Sequence, residues 1–162
     1  MLYQKMKKYK MNSEGFTLLE LMTVIAIIGI LASAIMVSLS VQKKRAVVGR
    51  VLTEMSATMQ NIYLCKSDDG TINSPDPTGG NDLCGIDPNY GQWPDVSEDA
   101  LGEGMNFDLR MTGEFDSSSW AYWADPQGSG ISGAEMVCCN SKSGKCGKID
   151  SGSVCGTDTV IK

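Results

Sequence analysis

From Leu21 to Val41 the chain runs for 21 residues without a charge, LMTVIAIIGILASAIMVSLSV. At about 1.5 Å of helical rise per residue this spans roughly 31 Å, the thickness of a bilayer's hydrocarbon core. Leu, Ile, Val and Met recur on all sides of the helix, as solvation by lipid requires and as an amphipathic surface helix does not. A buried helix in a soluble protein is the alternative reading. The rest of this 162-residue chain is too small and too polar to enclose it.

Charge divides the sequence further. Lys5, Lys7, Lys8 and Lys10 precede the apolar run, and Lys43, Lys44, Arg45 and Arg50 follow it, so the positive-inside count is nearly balanced and leaves orientation open. Residues 66–162 carry six Lys/Arg against sixteen Asp/Glu, and the whole chain has a net charge of −5. The acidic balance argues against nucleic acid, whose phosphates select clustered Lys and Arg. With no His, the chain cannot run Ser-His-Asp or Cys-His catalysis, and it lacks a common metal ligand.

Past the basic cluster the pattern changes. Val48, Val51, Leu52, Met55, Met59 and Ile62 follow the i, i+3, i+4, i+7 spacing of one helical face, while Glu54, Gln60 and Asn61 fall off it. No Pro occurs before Pro75, and Gly29 and Gly49 are the only glycines between Thr17 and Cys65. One helix over about residues 17–65 is therefore expected, on the order of 70 Å long. Residues 16–41 form its lipid-like half, and residues 42–65 its amphipathic half.

Glu20 is out of place, an acid at the start of an apolar run. A carboxylate at the centre of a membrane helix costs roughly 2.5–3.5 kcal/mol on insertion scales; near the end, snorkelling lowers that cost. The surrounding string, Gly15-Phe16-Thr17-Leu18-Leu19-Glu20-Leu21-Met22 behind a Lys-rich leader, resembles the class III signal of type IV prepilins and pseudopilins. The resemblance covers roughly residues 5–40. It implies an α+β, type IV pilin-like fold, with the long helix packed on a small antiparallel sheet. A prepilin peptidase would cut between Gly15 and Phe16, removing leader residues 1–15, and Phe16 would then be N-methylated. The resemblance also implies an inner-membrane assembly platform, other pilin subunits as partners, membrane lipid around the helix before assembly, and no cofactor. In a growing filament the Glu20 carboxylate would pair with the Phe16 ammonium of a neighbour, because an unpaired carboxylate in low dielectric disfavours slipped registers.

Ala32-Ser33-Ala34 offers a rival, the A-x-A pattern of an ordinary signal peptidase, which would release a protein beginning at Ile35. Apolar sequence continuing through Val41 argues against it. Gly29 and Ser33 form a small-xxx-small pair suited to close helix approach.

Residues 66–162 hold only 14 Leu/Ile/Val/Phe and 15 Gly, a composition too poor in apolar residues to fold without help. All six cysteines lie at or beyond the end of the helix: Cys65, Cys84, Cys138, Cys139, Cys146 and Cys155. An even number in a weak-core region fits disulfide staples in an oxidising compartment, and so places this acidic head outside the cytoplasm. Zinc fits poorly, since there is no C-x₂-C pair and Cys138 and Cys139 point to opposite faces of a strand. Cys65 is expected to join Cys84, with Cys138 and Cys139 joined to Cys146 and Cys155 in an order that spacing leaves open. Met105–Met111, Ser119–Ala124, Glu135–Cys139 and Lys145–Ile149 are the strand candidates. Trp93, Trp120, Tyr122 and Trp123 are expected in the core or at its edge rather than in a ligand cage. Asp68, Asp69, Asp82 and Asp87 sit in Gly-containing loops of a kind that sometimes binds Ca²⁺, but the spacing is not that of an EF-hand, and no metal site is assigned.

The function expected from these features is a noncatalytic structural subunit, a major or minor pilin. It would sit as a precursor in the bacterial inner membrane and later in an extracytoplasmic filament. A pseudopilin of a type II secretion or competence machine shares the same N-terminal signature. A secreted or membrane-anchored binding module, or an enzyme using an acid pair such as Glu98-Asp99, is the more remote reading. The collar Lys43, Lys44, Arg45 and Arg50 is suited by charge to the acidic heads of neighbours.

Overall fold

The structure, a computed structural model, describes residues 16–115, 119–150 and 152–161. The expected leader, including Gly15, lies outside the described residues. Helix α1 runs unbroken from Leu18 to Ser67, and the chain parts into two compact units at Leu39/Ser40.

In the first unit the large apolar side chains of α1 are uncovered. Leu18, Leu21, Ile25, Ile28, Leu31 and Ile35, among others, are each more than half exposed. The helix continues through Gly29, where an added side chain would meet nothing.

The second unit is the α+β domain. Here α1 buries Val48, Val51, Met55, Met59, Ile62 and Cys65. Opposite that face lies an antiparallel sheet of four strands in the order β1-β2-β3-β4. The strands are β1 (Phe107–Thr112), β2 (Ala121–Pro126), β3 (Met136–Asn140) and β4 (Lys145–Ile149). A short helix, α2 (Glu98–Leu101), is capped by Ser97, whose side chain accepts from the Ala100 amide. Each sequence-expected strand is present, with shifts of one or two residues at three of the four. The shift in β2 follows from pairing: Ala121 faces Thr112 on one side and Asn140 on the other, while Trp120 instead donates its amide to Ser141 Oγ.

Period-two alternation decides which side chains meet the helix. Tyr122 and Ala124 point into the main core with Trp93, Phe107, Leu109, Phe115 and Val137. Trp123, expected in the core or at its edge, lies at the edge of a second cluster on the opposite face of the sheet, partly buried against Ala121, Met136, Cys138 and Cys155. The C-terminal segment covers this second face. It is held there by the Cys138–Cys155 disulfide and by the buried Asn140 amide, which donates to Thr159 O at 3.0 Å and Gly156 O at 3.4 Å. Leu52, expected on the buried stripe, is only partly covered, and Thr58 is buried in its stead with its hydroxyl on Glu54 O at 2.9 Å.

The connection from α1 to β1 is a long loop with little regular structure, pinned at several points. Cys65–Cys84 closes its first part, and Trp93 Nε1 donates to Asn73 O at 3.0 Å. Gly79 is required where the loop crosses itself: a Cβ there would fall 1.8 Å from Pro94 O, and its φ is +77°. The loop also shields the outer edge of β1, whose Leu109 and Phe107 amides donate to Pro77 O and Val96 O.

Candidate functional site

The first turn of α1 gathers the N-terminal candidates. Phe16 is 78% exposed. The Glu20 amide donates to Thr17 Oγ1 at 3.2 Å, while the Thr17 amide and hydroxyl both donate to Glu20 Oε2, each at 2.9 Å. This reciprocal arrangement is a capping box. It satisfies donors at the helix start that have no partner within the helix. Sequence reasoning singled out Glu20 but passed over Thr17, although T-x-x-E ahead of an apolar run is the signature of the box. Among the described residues no hydrogen bond reaches Glu20 Oε1, so the carboxylate keeps one oxygen for a further donor.

Beyond this turn, as far as Met36, α1 leaves its large apolar side chains exposed. The uncharged stretch of α1 is long and apolar enough to cross a membrane, and none of it is buried within the chain. Ser33, midway along, returns its hydroxyl to Ile30 O at 2.8 Å and so exposes no unsatisfied donor.

The basic collar divides once its geometry is known. Arg50 is engaged within the chain, with Nε 2.7 Å from Glu54 Oε1 and Nη1 donating to Ala100 O at 2.9 Å. The hydrogen bond and charge of Glu54 hold the Arg50 guanidinium above its ordinary pKa. Lys44 donates to Ser132 O at 3.4 Å and lines a cleft with Arg45, Lys148 and Glu135.

The cysteines form three bridges, Cys65–Cys84, Cys138–Cys155 and Cys139–Cys146, with none free. Strand geometry explains the order that spacing left open. Cys139 and Cys146 are directly opposite on β3 and β4, whereas Cys138 faces the other side of the sheet, where Cys155 passes.

Three of the four loop acids take part in local hydrogen bonds. Tyr90 donates its hydroxyl to Asp68, Asp87 accepts from the Asn89 amide, and Asp82 accepts from Gln92. The hydrogen bond to Asp68, and secondarily desolvation and the Asp68 charge, raises the Tyr90 phenol above its usual pKa. Among the described residues no group of three or more His, Cys, Asp or Glu is placed to hold a metal ion.

Residues 10–36 match the family described as a prokaryotic N-terminal methylation motif. No curated protein and no solved structure matches the chain. The matched stretch brackets the Gly15-Phe16 junction, Glu20 and most of the uncharged helix. The motif and the α+β fold are similar to those of type IV pilin-like precursors, and the apolar N-terminal helix fits a membrane anchor. The motif implies processing by a prepilin peptidase and assembly with other pilins.

Proposed function

We propose that this chain is a pilin, a noncatalytic subunit that leaves the inner membrane to form an extracytoplasmic type IV filament. In this reading the leader 1–15 is removed by cleavage between Gly15 and Phe16. Residues 16–41 become the filament core, residues 42–65 carry the head, and residues 66–162 form the acidic exterior. The observation that carries the proposal is the uncovered apolar half of α1 with a carboxylate at its start. That surface needs a nonaqueous partner in every state of the protein, lipid first and then the same helix of other copies.

Cleavage creates a charged α-amino group on Phe16, four residues from Glu20. The capping box occupies Oε2, which leaves Oε1 to receive the Phe16 ammonium of a neighbouring copy. N-methylation keeps the positive charge and therefore the pairing. Desolvating a carboxylate without a partner is costly, so the pairing selects one axial register. The three disulfides in the head support an oxidising destination for it.

Intact mass with N-terminal analysis of the membrane-extracted protein tests the reading. A chain beginning at methylated Phe16 supports it. A chain beginning at Ile35 means ordinary secretion, and one retaining its leader means a plain membrane anchor. Micrographs of sheared surface filaments then separate a pilus subunit from a pseudopilin.

A further inference from the structure

Resting on the filament reading, we infer that the basic cleft at the foot of the head receives the acidic corner at the end of α1 from a second copy of this chain. The cleft has a volume of about 480 Å³ and is lined by Val41, Lys44, Arg45, Val48, Gly133, Ala134, Glu135 and Lys148. Three cations face one anion there. Lys148 lies 3.6 Å from Glu135, which leaves the charges of Lys44 and Arg45 uncompensated by a carboxylate. Lys43 and Arg45 are exposed, and neither makes a hydrogen bond or ion pair among the described residues.

The occupant is argued from charge and shape. The acidic corner, Asp68-Asp69-Gly70, directly follows the last turn of α1, with Gly70 buried beneath the two aspartates. It is rigid: the Gly70 amide donates to Cys65 O at 2.9 Å, Tyr90 holds Asp68, and Cys65–Cys84 fixes the turn. Gly70 cannot be enlarged, because a Cβ there would fall 2.5 Å from Cys65 Sγ. Asp69 stands at φ +57°, a backbone region that side chains other than Gly, Asn and Asp rarely occupy. Both aspartates are exposed. Two carboxylates on a fixed corner complement the two uncompensated cations of the cleft.

One chain cannot make this contact with itself. Lys44 and Ser67 are 23 positions apart in α1, about 35 Å at helical rise. The cleft of one copy therefore meets a copy displaced along the axis by about that distance. The pairing of Glu20 with a neighbour's Phe16 requires a displacement of only about 6 Å, so it involves a different neighbour. The two contacts together would set both the step and the turn of the filament.

A water-soluble carbodiimide, which joins a lysine amine to a carboxylate as an amide with no spacer, tests the contact on the full chain in filaments and in native membranes. Amides from Lys43 or Lys44 to Asp68 or Asp69 are expected, and the intrachain distance makes them intermolecular. Amides from these lysines to other carboxylates only would overturn the proposal. In filament yield, Lys44→Glu with Arg45→Glu, and Asp68→Lys with Asp69→Asn, should each cost at least tenfold, and combining all four should recover to within threefold of wild type. Asp69→Asn, which suits the left-handed backbone, should lower yield about threefold with the head's melting unchanged. A combined variant as poor as its parents contradicts the contact. So does protection of Lys43 and Lys44 from amine labelling by phosphatidylglycerol vesicles but not phosphatidylcholine vesicles, which would assign the cleft to lipid. Absence of wild-type filaments despite methylated Phe16 would break the filament reading, and the membrane crosslink would still decide this contact.

Discussion

The two halves of α1 are built from the same kinds of residue and meet different fates. Over residues 18–36 the large apolar side chains are exposed on every side, while from Val48 to Cys65 one stripe is buried to between 0 and 4% exposure by the chain's own sheet and loop. The difference lies in what surrounds the apolar residues. Polar positions such as Glu54, Gln60 and Asn61 give the second half a wet side, so a single sheet completes it. The first half has no wet side, and no domain of this size could cover it. One half is thus satisfied by folding, and the other is left uncovered by it.

Substitutions in the two halves should therefore separate. Met55→Ala, in the buried stripe, should cost the head about 2–5 kcal/mol through lost burial and a residual cavity, read as a lowered melting temperature with membrane integration unchanged. Ile28→Lys should do the reverse, leaving the head's melting intact while penalising insertion by about 2.5–3.5 kcal/mol, read as loss from the membrane fraction. A head destabilised by Ile28→Lys would mean that the exposed half contributes to the fold.

The staples sharpen the comparison further. Cys138→Ala with Cys155→Ala should remove about 3 kcal/mol from the head, as expected for a loop with a sequence separation of 17. This change should expose Trp123 and raise its accessibility to a fluorescence quencher, while the core around Trp93 keeps its protection. Tyr122 provides the smallest effect. Its hydroxyl donates to Met55 O at 2.6 Å, and Tyr122→Phe should cost about 1 kcal/mol at neutral pH. Burial, and secondarily Tyr63, pushes the Tyr122 phenol well above its ordinary value. The folded state then keeps a proton that the unfolded state loses above about pH 10. Stability from this group is full below that pH and falls as pH rises toward the folded value. Tyr122→Phe should flatten the alkaline decline in denaturant midpoint.

Much of this architecture was legible in the residues because it rests on periodicity. The stripe from Val48 to Ile62 and the four strands each follow a repeat that secondary structure dictates, and the uncharged run declares itself by its length. What escaped depends on contacts between distant segments. Trp123 falls on the second face of the sheet because the register of β2 is set by its partners, and that face is apolar only because the C-terminal segment returns to cover it. Thr58 joins the core because its hydroxyl is satisfied by its own helix, which hydrophobic spacing does not count. At the candidate site, Glu20 stood out as a lone acid, and Thr17 was readable by the capping rule. Arg50 looked like part of the collar, yet it is held by Glu54 and by the Ala100 carbonyl, a partner 50 residues away in sequence.

Filament yield from Glu20→Ala, measured beside wild type by shearing and quantifying the released polymer, bears most directly on the idea that a carboxylate at the head of the apolar helix sets assembly. Yield is predicted to fall at least tenfold while the chain remains in the membrane with a methylated Phe16. Filaments at wild-type yield would contradict it.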